Sequence, residues 1–238
     1  MNIYETPSIA SRIQGNSYVG RGIILGTAPD GSCVSAYFIM GRSANSRNRV
    51  FTQREDAIFT EPFDPSKVED PSLIIYAAVR NTNDQLIVTN GDQTDTIYQS
   101  ILAGGDFRSA LRTRAFEPDA PNFTPRISGM VTFGNNGFSY EMSILKSIDE
   151  VGSACARYFF EYPSQVGLGH FIHTYVCDGN PIPTFQGEPE RVAIGNDIDA
   201  LTKEIWDHLD ADNKISLYVR YTNPETLTYH DRLINKYQ

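Results

Sequence analysis

Tyr18-Val-Gly-Arg21-Gly-Ile-Ile-Leu-Gly26, then Pro29-Asp30-Gly31, then Ser32-Cys33-Val-Ser-Ala-Tyr37-Phe-Ile-Met40 reads as two apolar strands joined by a tight turn. Proline presets φ at the corner, and Asp-Gly tolerates the reversed backbone that a hairpin requires. The same signature recurs down the chain. Arg49–Gln53 reads as a third strand, followed by an acidic, proline-bearing loop from Glu55 to Pro71. Leu73–Arg80 and Gln85–Thr89 form a second hairpin through Asn81-Thr-Asn-Asp84, and Ile127–Phe133 and Phe138–Leu145 a third through Gly134-Asn-Asn-Gly137. Ser153–Tyr162, His170–Cys177 and Ile215–Tyr221 complete the strands.

Helical spacing interrupts this pattern twice. Thr94–Gly104 and Phe107–Phe116 form one block, split by Gly104-Gly105-Asp106. In Asp197–Leu209, Ile198, Leu201, Ile205 and Leu209 share one face, with Asn196 or Asp197 as cap. Antiparallel hairpins with two helical blocks predict an α+β layered fold of two sheets with helices packed outside them. No internal repeat, low-complexity tract or clear linker is visible, so residues 1–238 are expected to form a single domain.

Composition narrows the function classes. A chain of 238 residues with 40% hydrophobic and 21% charged residues can bury a sizeable core and is not of the disordered class. A net charge of -9 and a pI near 4.9 oppose a broad nucleic-acid footprint. No apolar run approaches a membrane span, and the N-terminus has no basic segment leading into an apolar one. Cys33, Cys155 and Cys177 are widely spaced and odd in number, which reads as reduced thiols and a cytoplasmic setting. Oligomeric state stays open, including a homo-oligomer.

Against this acidic background one segment stands out. Between Asp30 and Glu55 there are four arginines (Arg42, Arg47, Arg49 and Arg54) and no acid. Ser43, Asn45, Ser46 and Asn48 lie among them. Guanidinium forks match phosphate oxygens bidentately, and serine and asparagine add neutral partners, so the segment reads as an anion site or, alternatively, as a solvated hairpin. Of the twenty basic residues fifteen are arginine, a bias that bidentate anion recognition uses and solubility does not require.

Two further segments can carry chemistry. Asn90-Gly91-Asp92-Gln93-Thr94-Asp95 runs from a strand directly into a helix, where backbone N–H groups face an anion or carbonyl; it equally reads as a turn and a capped helix. Glu117-Pro-Asp119-Ala-Pro-Asn122-Phe-Thr124-Pro125-Arg126 is a loop stiffened by three prolines, with Glu117 and Arg126 at its ends. His170 and His173 fall on opposite faces of a strand and lack a third ligand, so no metal site is expected. Neither a GxGxxG, a P-loop nor a GxSxG pattern is present.

In order, Tyr18-Val-Gly-Arg21, Gly41-Arg42-Ser43, Arg47-Asn48-Arg49, Tyr76, Asn90 to Asp95 and Thr124-Pro125-Arg126-Ile127 resemble the archaeal-type IMP cyclohydrolase family. The resemblance runs from about Tyr18 to Gly129. It implies a four-layer αββα sandwich of two mainly antiparallel sheets, similar to the N-terminal-nucleophile hydrolases. It also implies dehydrative ring closure of the formamido-imidazole-carboxamide ribotide FAICAR to IMP, the last step of purine synthesis, without metal or organic cofactor. By the same resemblance Tyr76 and Glu117 are the acid–base candidates. Arg42, Arg49, and Arg21 or Arg126 are the phosphate anchors. Ser43, Asn48, Asn90, Gly91, Asp92, Thr94 and Asp95 are the remaining contacts to a purine ribonucleotide. Where the family has Asn-Cys after its tyrosine, this chain has Ala77-Ala78, and Asp119 rivals Glu117 by spacing. A non-catalytic nucleotide-binding protein, or an amidohydrolase using Cys33 as a nucleophile, are the alternatives.

Overall fold

The computed structural model describes residues 2–68 and 75–237. The opening hairpin is present as β1 (Gly22–Thr27) and β2 (Cys33–Met40), with the turn at Gly31, whose φ of 89° lies in the region that favours glycine. Every residue of both strands is buried. The reason is that each face of the hairpin packs against a different layer. Cys33, Tyr37 and Ile39 enter the core between the two sheets, while Val34, Ala36, Phe38 and Met40 enter a second core on the other face. A strand covered on both faces needs an apolar run rather than an alternating one, which is what Cys33–Met40 supplies.

β1 and β2 are central in a six-stranded sheet. Its other members are β10 (Leu168–His173), β11 (Glu190–Ala193), β12 (Lys214–Thr222) and β13 (Tyr229–Asn235), in the order β11-β10-β1-β2-β12-β13. The facing seven-stranded sheet runs in plain sequence order. It comprises β3 (Val50–Arg54), β4 (Ala57–Glu61), β5 (Tyr76–Asn81), β6 (Gln85–Thr89), β7 (Arg126–Gly134), β8 (Gly137–Ser147) and β9 (Cys155–Pro163). All named pairings are antiparallel.

Helices cover the two outer faces. α1 (Ile9–Ile13) and α5 (Ile198–His208) bury Ile9, Ile13, Leu201 and Ile205 against the first sheet, and Asp197 caps α5 by accepting from the Asp199 and Ala200 N–H groups. α3 (Gln93–Leu102) and α4 (Phe107–Arg112) bury Ile97, Phe107 and Leu111 against Ile87, Met130 and Leu145 of the second. At roughly 1.5–3 kcal/mol for each large apolar side chain removed from water, these three cores hold the helix–sheet–sheet–helix stack together. The expected α+β sandwich of antiparallel sheets is the observed one.

Several boundaries differ from the sequence reading. The expected loop after Glu55 contains β4, in which only Ile58 and Thr60 are buried; Ala57, Phe59 and Glu61 alternate onto the other face of the strand and are half-exposed. A short helix, α2 (Ala44–Arg47), interrupts the arginine segment under a Ser43–Ser46 capping box. The strand expected from Leu73 begins at Tyr76; Leu73 and Ile74 lie outside the described residues. The strand expected from Tyr18 begins at Gly22, and the one expected to reach Cys177 ends at His173. His170 and His173 do split across the sheet: His170 stacks on Tyr162 of the facing sheet, and His173 stacks on Phe171 and faces Glu190 at 3.6 Å.

Candidate active site

β1 begins, β2 ends, β6 ends and β7 begins at one end of the sandwich, so the loops carrying all three sequence motifs converge there. They enclose a cavity of about 200 Å³. Arg21, Arg49, Glu117 and Asp119 supply its charges; Ser43, Asn45, Ser46 and Asn90 supply neutral polar groups; Thr124 closes one side. A larger cavity of about 460 Å³ lies beside the N-terminal segment. Its charged pair, Arg12 with Glu190 at 3.4 Å, is about one-third exposed, so water screens whatever charge it presents. Buried charge, rather than volume, marks the smaller cavity as the candidate site.

The Glu117 carboxylate lies 3.7 Å from the Arg21 guanidinium, with both side chains about nine-tenths buried. Arg21 is held from behind: its N–H donates to Thr174 Oγ1 at 3.1 Å and its carbonyl accepts from the Thr174 N–H at 3.0 Å. Glu117 is held by its own N–H, which donates to the Thr124 carbonyl at 2.9 Å and closes the proline loop. Burial pushes the Glu117 carboxyl above the usual carboxylate range, although Arg21, Arg126 and Arg49 pull it down. The opposing effects are of similar size: opposite charges about 4 Å apart attract by on the order of 4 kcal/mol in a moderately screened interior. Removing an ion from water costs several kcal/mol.

Arg49 donates from Nε to the Ser46 carbonyl at 2.7 Å and from Nη2 to the Met40 carbonyl at 3.1 Å. These bonds fix the guanidinium plane at the cavity wall, and among the described residues no acceptor engages Nη1. Asn45 Oδ1 is buried there without a hydrogen-bond partner. A ligand with donors and anionic oxygens would satisfy both.

The Asn90 segment supports the floor. Asn90 Nδ2 donates to the Pro125 carbonyl at 2.9 Å, and Oδ1 accepts from the Ile127 N–H and from Gln93 Nε2, both at 2.9 Å. Gln93 Oε1 in turn accepts from Arg126 Nη1 at 2.7 Å. Asp92, also 2.7 Å from Arg126, takes two 2.6 Å hydrogen bonds from Arg114. Gly91 leaves the room: a Cβ there would stand 2.5 Å from Arg126 Nη1.

Other expected site residues are engaged elsewhere. Arg42 pairs with Asp178, donates to the Gly179 carbonyl at 2.8 Å and lies over the Tyr18 ring, outside the cavity lining. Asn48 exchanges hydrogen bonds with the Asp64 backbone at 2.8 and 2.7 Å. Thr94 is buried against Thr89 and the Gly91 carbonyl. Asp95 pairs with Arg80 at 2.6 Å on the exposed side of α3. Asp119, the rival of Glu117, accepts from the Thr124 N–H at 2.6 Å and its hydroxyl at 2.5 Å, so its carboxylate holds the loop.

Tyr76 is buried between the sheets, its hydroxyl 2.8 Å from that of Tyr37. The sequence reading gave no role to Tyr37, Gln93 or Arg114. Tyr37 lies inside an apolar run with nothing local to mark it, and the other two act through distant partners. Cys33 lies within β2 with Thr27 and Thr222 on either side, and burial pushes its thiol well up, so it is no exposed nucleophile.

The family profile described as "IMP cyclohydrolase-like protein" matches residues 18–226. The chain belongs to the IMP cyclohydrolase-like family. An IMP cyclohydrolase of Methanopyrus kandleri is 36% identical over 183 residues, covering 71% of this chain and 89% of that one. That of Methanothrix thermoacetophila is 36% identical over 119 residues, 48% of this chain and 58% of its own. That of Methanococcus aeolicus is 26% identical over 164 residues, 67% and 75%. The matched region takes in every segment that lines the cavity. It also extends past Gly129, where the likeness read from motifs ended, into β8 to β12. Among the described residues no helix is long and apolar enough to cross a membrane.

Proposed function

We propose that this chain is an IMP cyclohydrolase that closes the second ring of FAICAR with loss of water. The observation that carries the reading is a buried carboxyl, Glu117, placed 3.7 Å from Arg21 in an arginine-lined cavity. A carboxyl raised by burial exchanges protons nearer neutral pH than an exposed one does.

The residues divide by charge. Arg49, with Arg21 and Ser43, Asn45 and Asn90 around it, receives the purine ribonucleotide, the phosphate nearest the arginines. Arg126, braced by Gln93 and Asp92, adds positive field behind them. The two reacting groups already belong to one molecule, so the cavity contributes by holding the carboxamide nitrogen against the formyl carbon in the reactive orientation. Closure moves the amide proton to the formyl oxygen and gives a carbinolamine. Dehydration then breaks the C–O bond, a second proton leaves ring nitrogen, and the hydroxyl departs as water. Glu117 is the base for the nitrogen proton and Tyr76 the acid at the departing oxygen. Residues 1–238 act as one domain in this reading, in the cytosol, with no metal or organic cofactor in the proton transfers.

The test is direct: purified protein with FAICAR, IMP formation followed against a no-enzyme control. Turnover above the control is expected. Binding of IMP without turnover would leave a nucleotide-binding protein, the reading that Ala77 and Ala78 motivate.

A further inference from the structure

Tyr37 projects from β2 of one sheet and Tyr76 from β5 of the other, and their hydroxyl oxygens meet at 2.8 Å between the sheets. Tyr37 has no room to move. Its strand neighbours are Ile23 and Tyr218, and its ring stacks on Phe51 at 5.5 Å between centroids. Tyr76 is fixed from the other side, where its carbonyl accepts from Thr60 Oγ1 at 3.1 Å. Of the pair only Tyr76 keeps any exposure, 5% against 0%.

Two hydroxyls can share only one hydrogen bond at a time. The donor's proton is committed, while the acceptor's own proton stays free for a third group. Burial first, and Tyr76 second, hold the Tyr37 hydroxyl well above its ordinary range despite the opposing charges of Arg21 and Arg49. Tyr37 therefore keeps its proton, and the oxygen it can point that proton toward is that of Tyr76. A donated hydrogen bond stabilises negative charge developing on the accepting oxygen, so Tyr76 can give up its own proton while that bond persists.

We propose that Tyr37 is a positioning residue that donates its hydroxyl hydrogen bond to Tyr76 and so frees the Tyr76 proton for the departing carbinolamine oxygen. The inference rests on the ring-closing function proposed above. In the step, the Tyr76 O–H bond breaks as the second O–H bond of water forms. The C–O electron pair leaves with the water, the nitrogen electrons form the new C=N bond, and Glu117 takes the nitrogen proton. Passing that proton from Glu117 back to Tyr76 restores both groups.

The test is a double-mutant cycle of Tyr37→Phe and Tyr76→Phe, with kcat, KM and IMP binding measured for each. Each single change is expected to lower kcat by about 10- to 100-fold, the usual worth of a positioned proton donor. KM and IMP binding should stay within about threefold, because neither hydroxyl carries uniform binding. Adding Tyr37→Phe to Tyr76→Phe should lower kcat no further. A loss in kcat with KM and IMP binding unchanged, absent once Tyr76 is already phenylalanine, is a pattern that loosened packing alone would not produce. Full kcat in Tyr37→Phe, or losses that multiply in the double variant, would overturn the inference. Absence of turnover in the unaltered protein would overturn the parent function and this inference with it, whereas multiplied losses alongside normal turnover overturn only the inference.

Discussion

Arg21 and Glu117 face one another at 3.7 Å inside the cavity, close enough to feel each other's charge and too far apart to share a hydrogen bond. No other protein donor engages the Glu117 carboxylate among the described residues. The pair is therefore an ion pair with room for substrate hydrogen bonds, unlike Asp119, whose oxygens are taken by Thr124. If Arg21 lowers the Glu117 carboxyl, Arg21→Met must raise it. The acidic limb of the pH–rate profile, which reports the base, should move to higher pH; a limb that moves down or stays would separate the two residues functionally.

Arg49 and Arg42 are both arginines of one segment, yet only Arg49 lines the cavity. Arg49→Gln should weaken IMP binding by about 10- to 100-fold, as expected for loss of a charged hydrogen bond. Arg42→Ala should change it by less than about threefold and cost at most about 1 kcal/mol of stability, because its pair with Asp178 is part-exposed. Titration of IMP into both variants distinguishes them, and a larger effect at Arg42 would invert the assignment.

Gly91 is a steric requirement of Arg126. A Cβ would lie 2.5 Å from Arg126 Nη1 and 2.6 Å from Gln93 Oε1, so Gly91→Ala must displace the Asn90–Gln93–Arg126 chain. A loss of about 1–3 kcal/mol is expected in denaturant unfolding, with weaker turnover in the remaining folded protein. An unchanged midpoint would mean that Arg126 is free to relocate.

Asp92 ties Arg114 to Arg126. Burial opposes its ionisation, but the Arg114 hydrogen bonds and the Arg126 charge hold its carboxyl below the ordinary range. A depressed carboxyl stabilises the fold above its unfolded value, about 3.9, and that stability is lost as pH falls through the folded value. The difference in thermal midpoint between the unaltered protein and Asp92→Asn should therefore shrink below about pH 4. A difference that persists or grows there would show that the hydrogen bonds act independently of charge.

Most of the architecture could be read from local pattern. Cys33–Met40 announced an apolar strand, and Ile198, Leu201 and Ile205 announced the covering helix. β4, β11, β13 and the short α1 and α2 escaped that reading. Each is short or only half-buried, so its residues carry little periodic hydrophobicity of their own. At the site, Arg21, Arg49, Asn90 and Glu117 stood in recognisable segments and meet in one cavity. Residue type alone could not tell Arg49 from Arg42, or Asp92 from Asp95, because their roles depend on Met40, Asp178, Arg114 and Arg80 across the fold. Tyr37 was hidden for the opposite reason: its ring belongs to the core between the sheets, and only its hydroxyl meets Tyr76.

Glu117→Gln keeps the size of the side chain and removes only its capacity to exchange a proton. The most direct measurement is FAICAR turnover and IMP binding by this variant beside the unaltered protein. The account predicts turnover lowered by about 100-fold or more with IMP binding retained. Turnover at the unaltered rate in Glu117→Gln would contradict it.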